Sequence, residues 1–154
     1  MKILIVCTAN ICRSALCEVI LKQMLNERGI TGVEVESAGV RDLEGEPRDS
    51  TMASYALESG YELAGEAKFV TQEMMGAADW IICMEHYHVV EIQKRLAYAN
   101  WKRIHRFNEI CFGEETDVPD PSGDTDYMYV SVLKHIEAGC ERLVGKLCGI
   151  VRDE

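Results

Sequence analysis

The chain opens on an unbroken apolar run, Lys2-Ile3-Leu4-Ile5-Val6-Cys7, that stops at the polar triplet Thr8-Ala9-Asn10. A run of that length, apolar from Ile3 onward and rich in β-branched residues, predicts a strand over residues 2 to 7 covered on both faces, as the centre of a parallel sheet requires. Helical spacing follows from about Arg13 to Arg28, with Leu16, Ile20, Leu21, Met24 and Leu25 on one side and Gly29 as the stop. Val33 to Ala38 predict a second short strand, and the Gly-, Pro- and charge-rich stretch Gly39 to Pro47 a loop. Further on, the pattern predicts a helix around Ser50 to Ser59 and a short helix beginning near Thr71. A third strand is expected in Trp80-Ile81-Ile82-Cys83-Met84, a helix through Val89 to Ala97 and a fourth strand over Arg103 to Phe107. The long loop holding Asp117-Val118-Pro119-Asp120-Pro121-Ser122-Gly123 precedes a final helix from near Thr125 to Leu147.

Strands alternating with helices imply right-handed βαβ units, hence an α/β fold with helices on both faces of a parallel sheet. No repeat, low-complexity tract or linker divides the 154 residues, so residues 1–154 are read as one domain. Ligands in such folds sit at the carboxyl ends of the strands, and the turn after the first strand is where chemistry is sought first.

Composition narrows the partners. With 16 basic against 26 acidic residues, the net charge of −10 argues against nucleic acid, which is bound by clustered Lys and Arg. The opening apolar run is too short for an export signal, and no run approaches the roughly 20 residues that span a bilayer. A cytoplasmic protein is expected, one in which the seven cysteines stay free thiols. Cys7, Cys12 and Cys17 lack the spacing of a zinc site, and His86-x-His88 has no evident third ligand, so no metal is expected.

The turn itself, Cys7-Thr8-Ala9-Asn10-Ile11-Cys12-Arg13-Ser14, lies between strand and helix. Its amides can converge on one point while the helix N-terminus adds partial positive charge, which makes an anion site. A thiol at the start of that loop is favoured as thiolate by the amides and by a guanidinium, and so is a nucleophile that needs no histidine base. The five residues between Cys7 and Arg13 let the loop curl until the arginine fork faces the sulfur and can hold two phosphate oxygens. Ser14 can donate to the sulfur, and Asn10 tolerates the left-handed backbone a tight loop needs. An inert reading stands beside this one: a buried strand cysteine and a surface arginine. The arginine's place at a helix N-terminus, where it opposes the dipole unless an anion is near, favours the first.

On these residues the sequence resembles the low-molecular-weight protein-tyrosine phosphatases, whose signature is a Cys-x5-Arg-Ser loop directly after the first strand. Ser37-Ala38-Gly39, Ala78-Asp79-Trp80-Ile81-Ile82-Cys83-Met84 with His88, and Asp120-Pro121 resemble that family's later landmarks. The resemblance implies a three-layer αβα fold with a four-stranded parallel sheet in the order 2-1-3-4, no cofactor, and a monomer that hydrolyses phosphomonoesters in two steps. It implies Cys7 as nucleophile, Arg13 as clamp and Asp120 as proton donor. Thr8, Ala9, Asn10, Ile11, Cys12 and Ser14 would line the oxyanion. Asp117 is the rival for the acid.

Departures from the family's pattern carry expectations of their own. Gly65 stands where a loop-supporting histidine is common, which predicts missing hydrogen bonds behind the loop. Ser122 and Leu43 stand where aromatic rings sandwich phosphotyrosine. Ile11 resembles the tyrosine-specific members, whereas threonine there resembles members acting on phosphoarginine. Phosphotyrosine is the expected substrate, with phosphoarginine the alternative. Thiol-dependent arsenate reduction is a further alternative, for which no relay cysteines are evident between Cys83 and Val90. A reversible Cys7–Cys12 disulfide under peroxide is also expected.

Overall fold

The computed structural model describes residues 1–152, so the last two residues of the expected 1–154 domain lie outside the described residues. Four strands form one parallel sheet: β1 (Lys2–Cys7), β2 (Glu34–Gly39), β3 (Trp80–Cys83) and β4 (Ile104–Arg106). Their order is β2-β1-β3-β4, the one the family resemblance implies. Central β1 pairs Ile3 with Val35 on one side and with Trp80 on the other, and Cys7 ends opposite Gly39.

The continuous apolar run of β1 is explained by two separate cores. Ile3, Ile5 and Cys7 face α1 (Arg13–Glu27) and the long C-terminal helix, while Leu4 and Val6 face Val70, Met75 and Ile92 on the opposite layer. Each β1 residue from Ile3 to Val6 is fully buried, and full burial of such side chains stabilises by roughly 1.5–3 kcal/mol each. Between the strands run α2 (Ser50–Glu58), α3 (Gln72–Ala77) and α4 (His86–Gln93). After β4 come α5 (Phe107–Phe112) and α6 (Asp126–Arg152). Tyr129, Val132, Leu133, Ile136, Cys140, Leu143, Val144 and Leu147 make the buried stripe of α6 at the helical period. Gly139 in that helix lies under the Phe107 ring, where a Cβ would collide with it. Among the described residues no helix is long and apolar enough to cross a membrane.

Several elements differ from the sequence expectation, including the ends of α4 at Gln93 rather than Ala97 and of α6 at Arg152 rather than Leu147. The fourth strand is only three residues long, because Phe107 already begins α5, a helix the sequence pattern did not predict. Helix α4 starts at His86 rather than Val89, because Glu85 and His88 close a reciprocal cap at its start. Tyr98–Arg103 form a short 3₁₀ turn.

Candidate active site

The turn expected to hold an anion joins β1 to α1 at the carboxyl edge of the sheet. Cys12 precedes the helix without any side-chain cap, and the first turn carries no acidic residue, so the helix N-terminus presents uncompensated positive charge. Five of the loop's carbonyls are engaged, four by neighbouring segments and that of Cys12 by the first turn of α1. Val40 N–H donates to the Cys7 carbonyl (3.1 Å), Arg41 N–H to Thr8 (2.9 Å), Asp49 N–H to Ile11 (2.8 Å) and Leu16 N–H to Cys12 (2.9 Å). Arg48 Nη1 donates to the carbonyl of Asn10.

A trans peptide carries its N–H opposite its C=O, so each tied carbonyl sends the next residue's amide the other way. The amides of Thr8, Ala9, Ile11, Cys12 and Arg13 are thereby turned from the supporting chain, and among the described residues no protein group accepts from them. Such an array is an anion-binding concavity. Gly39 makes it possible, because a Cβ there would lie 2.7 Å from the Thr8 carbonyl oxygen.

At the base of the loop the Cys7 sulfur lies 2.9 Å from Ser14 Oγ and receives the Asn10 N–H at 3.3 Å. Asn10 has φ 61°, the left-handed conformation the sequence led us to expect. Its Nδ2 donates to Ser14 Oγ (2.9 Å) and to Ser37 Oγ (2.8 Å). Ser14 already receives the Asn10 amide, so its own proton is directed to the sulfur.

Arg13 is buried, and one nitrogen, Nη1, donates to both Glu85 Oε2 and the Val118 carbonyl, each at 2.8 Å. The chain therefore supplies part of the counter-charge for this helix-start arginine through Glu85, a residue the sequence reading did not single out. Nη2 remains on the pocket side, 3.5 Å from Thr8 Oγ1 and 3.9 Å from Asp120 Oδ2.

His88, fully buried, orients Thr8. The Glu85 N–H donates to His88 Nδ1 (3.0 Å), so the neutral ring carries its proton on Nε2 and donates it to Thr8 Oγ1 (2.8 Å). Burial, then the Arg13 charge, push the imidazole down to about 4, which keeps it neutral at physiological pH. The Thr8 hydroxyl proton is left for the pocket.

The resulting cavity, about 150 Å³, is lined by Cys7, Thr8, Ala9, Ile11, Cys12, Arg13, Asp120 and Ser122. Of the expected residues, Asn10 and Ser14 lie behind this surface rather than on it, acting on the sulfur from within. Asp120 is half exposed, and its Oδ1 accepts the Ser122 N–H at 3.0 Å. The rival Asp117 is engaged elsewhere: it accepts from the His86 N–H (2.8 Å) at the start of α4 and from Arg106 (3.2 Å). Leu43 is exposed and does not line the cavity. Cys12 shares the pocket with Cys7, and burial pushes its thiol well above the ordinary value.

The hydrogen bonds expected to be missing at Gly65 are present from another source. Arg48 donates to Asn10 Oδ1 at 3.1 Å as well as to its carbonyl, and the Lys68 N–H donates to the same Oδ1 at 2.9 Å. Gly65 is left-handed, with φ +85°, and a Cβ there would sit 3.5 Å from Arg48 Nη2.

Comparison with known proteins agrees with this geometry. The family described as low molecular weight phosphotyrosine protein phosphatase matches residues 2–151. The chain is 34% identical over 149 residues to the low molecular weight protein-tyrosine-phosphatase Etp of Escherichia coli K12, covering 94% of this chain and 93% of that one. It is also 30% identical over 146 residues to a protein-arginine-phosphatase of Geobacillus stearothermophilus, covering 95% of each. A crystal structure of an Entamoeba histolytica protein tyrosine phosphatase with Hepes in its active site superposes with a TM-score of 0.88 at 27% identity, covering 96% of each chain. From residue 2 to residue 151, loop and sheet together, this chain belongs to the low molecular weight phosphotyrosine protein phosphatase family.

Proposed function

We propose that the protein hydrolyses phosphotyrosine in proteins through a cysteinyl-phosphate, with Cys7 as nucleophile, Arg13 as phosphate clamp and Asp120 as general acid. The observation that carries the reading is the set of outward-tied carbonyls, which leaves five amides for the oxygens of a tetrahedral anion above a sulfur that already receives two donors. The Cys7 thiolate attacks phosphorus in line, and the charge on the equatorial oxygens is met by the loop amides, Thr8 Oγ1 and the free edge of Arg13. Asp120 gives its proton to the departing phenolate oxygen. It then takes one from the water that attacks the phosphocysteine, and Cys7 leaves as thiolate.

Apart from the attacking water, both steps use side chains and backbone of this pocket. Seven free thiols, six of them buried, fit a cytoplasmic setting, and the net charge of −10 argues against nucleic acid as a partner. A monomer suffices, because every proposed group comes from one chain. Ile11 on the pocket wall favours an aryl ring. The likeness to a protein-arginine-phosphatase supports phosphoarginine as the second reading, and Ser122 leaves the mouth without an aromatic wall to oppose it. Arsenate reduction gains no support, since Cys83 is fully buried in β3.

Purified protein offered matched phosphotyrosine and phosphoarginine peptides tests the assignment. Faster turnover of phosphotyrosine, abolished by Cys7→Ser, is the expected result. Preference for phosphoarginine overturns the substrate, and undiminished turnover by the serine variant overturns the mechanism.

A further inference from the structure

Asn10 is where the loop's geometry is decided. Among the described residues it is the one non-glycine with positive φ, a conformation that persists only when its surroundings fix it. Every polar group of its side chain is engaged, and its amide faces the Cys7 sulfur at 3.3 Å. Arg48 is the side chain that grips both its backbone carbonyl and its Oδ1.

Arg48 is itself anchored. Its Nε donates to the Ala64 carbonyl at 3.1 Å, and residues 45–47 pair with residues 66–67 through Ala67 N–H to the Glu46 carbonyl (2.8 Å) and Gly45 N–H to the Ala67 carbonyl (2.9 Å). The next residue, Asp49, caps α2 through Met52 N–H and donates its own N–H to the Ile11 carbonyl. Two successive residues, Arg48 and Asp49, thus hold two successive loop carbonyls, those of Asn10 and Ile11.

We propose that Arg48 is the positioning residue of the phosphate loop, its guanidinium locking Asn10 in the left-handed conformation that aims the Asn10 amide at Cys7. The inference deepens the phosphatase reading and rests on it. A planar fork can reach Asn10 with one nitrogen and Ala64 with another, which the single ammonium of a lysine cannot do in the same geometry. Charge adds to shape: burial pulls the guanidinium below its ordinary value, while Glu18, Cys7 and Glu66 draw it back up. That attraction is mutual, so the cation behind the loop supports negative charge on the sulfur.

The test compares Arg48→Met and Arg48→Lys with the unaltered protein and with Asn10→Ala. It reads kcat/KM on an aryl phosphate, the pH profile of Cys7 alkylation by iodoacetamide mapped by mass, and thermal melting. Arg13 from α1, His88 from α4, Asp120 from the mouth and buried Cys12, Cys17 and Cys83 are titratable or charged groups around the sulfur, Glu18 and Glu66 face Arg48 and Asp49 faces Cys12, and all are retained in the Arg48 variants. The expected result for Arg48→Met is a loss of about 10–100-fold in kcat/KM, the size seen when the hydrogen-bond partners that orient metal ligands are removed. The alkylation profile should move to higher pH with cooperative melting kept.

In the Asn10→Ala background the same substitution should add a smaller loss than in the unaltered protein, because its bond to Oδ1 is already gone and only that to the backbone carbonyl remains to be lost. Arg48→Lys should give a smaller loss with the profile moved in the same direction, and it decides the matter if Arg48→Met does not fold. Wild-type kinetics and alkylation in a folded Arg48 variant overturn the proposal, as does a full, independent loss in the Asn10→Ala background. An unaltered protein without aryl phosphatase activity would instead remove the functional reading, while the alkylation profile would still judge Arg48.

Discussion

The two sides of the pocket are built in opposite ways. The floor, from Cys7 to Ser14, is buried or half-buried and held from behind: five carbonyls are engaged, the Asn10 side chain is fully bonded and Arg13 is bound by Glu85 and Val118, which leaves five amides for a ligand. The mouth, around Asp120, is half exposed, and its carboxylate is fixed by one bond inside its own turn, from the Ser122 N–H. Catalysis by charge stabilisation needs donors that do not reorganise as charge develops, and the floor answers that need. Proton donation to a leaving group needs a group that meets whichever oxygen departs, and a carboxyl on an exposed turn can adjust to it. The family's chemistry thus divides into a fixed part and an adaptable part, with Arg13 Nη2 facing Asp120 Oδ2 at 3.9 Å between them.

The largest effect that would sharpen this contrast comes from the mouth. Asp120→Asn removes the proposed acid and leaves the side chains of the floor unaltered, so turnover of a poor leaving group should fall by roughly 10²–10⁴. An activated aryl phosphate, whose phenolate departs unaided, should lose far less, and binding of inorganic phosphate should be unchanged. Equal losses on both substrates, measured as kcat across a series of leaving groups, would mean that Asp120 serves the floor instead.

Acid attacks the floor by another route. His88 titrates near 4 in the folded protein and near its ordinary 6.5 unfolded, so the unfolded chain binds the extra proton first. Stability is therefore full above about pH 6.5 and is lost as pH falls toward 4, by about 3 kcal/mol from this group. His88→Gln can still receive the Glu85 amide and reach Thr8, but it cannot titrate. Urea melts at pH 7 and pH 4 should show the variant losing about 3 kcal/mol less than the unaltered protein over that interval. Identical losses in both would detach His88 from the acid sensitivity of the floor.

The same division decides what the sequence revealed. The floor was legible because its chemistry is local: strand, loop and helix start fall within consecutive residues, and Cys7, Asn10, Arg13 and Ser14 sit where the spacing placed them. Its supports were not, since Arg48 lies 38 residues from Asn10 and Glu85 lies 72 from Arg13, and an arginine between a proline and a capping aspartate carries no signal of its own. The central place of β1 was legible because residues 3–7 are apolar without a break, and the full strand order came with the family resemblance, whereas six-residue α5 is too short to display a period. Helix α4 was misplaced at its start because a histidine side chain completes its cap, in a position where sequence rules look for Glu or Gln.

The smallest expected effect concerns ring binding at the mouth. Ser122 is exposed at the pocket's edge and contributes its backbone N–H to Asp120, a bond that a side-chain change leaves in place. Ser122→Tyr would give the mouth an aromatic wall opposite Ile11, and a paired ring is worth about 0.5–1.5 kcal/mol beyond its area. The KM for a phosphotyrosine peptide should fall by about 2–10-fold, while inhibition by inorganic phosphate, which touches only the floor, should not move. A phosphoarginine peptide offers a planar guanidinium, which also stacks on a ring, so the comparison that counts is peptide against bare phosphate. If phosphate binding tightens as much as the peptide does, the substitution has reshaped the floor, and the independence of the two sides fails.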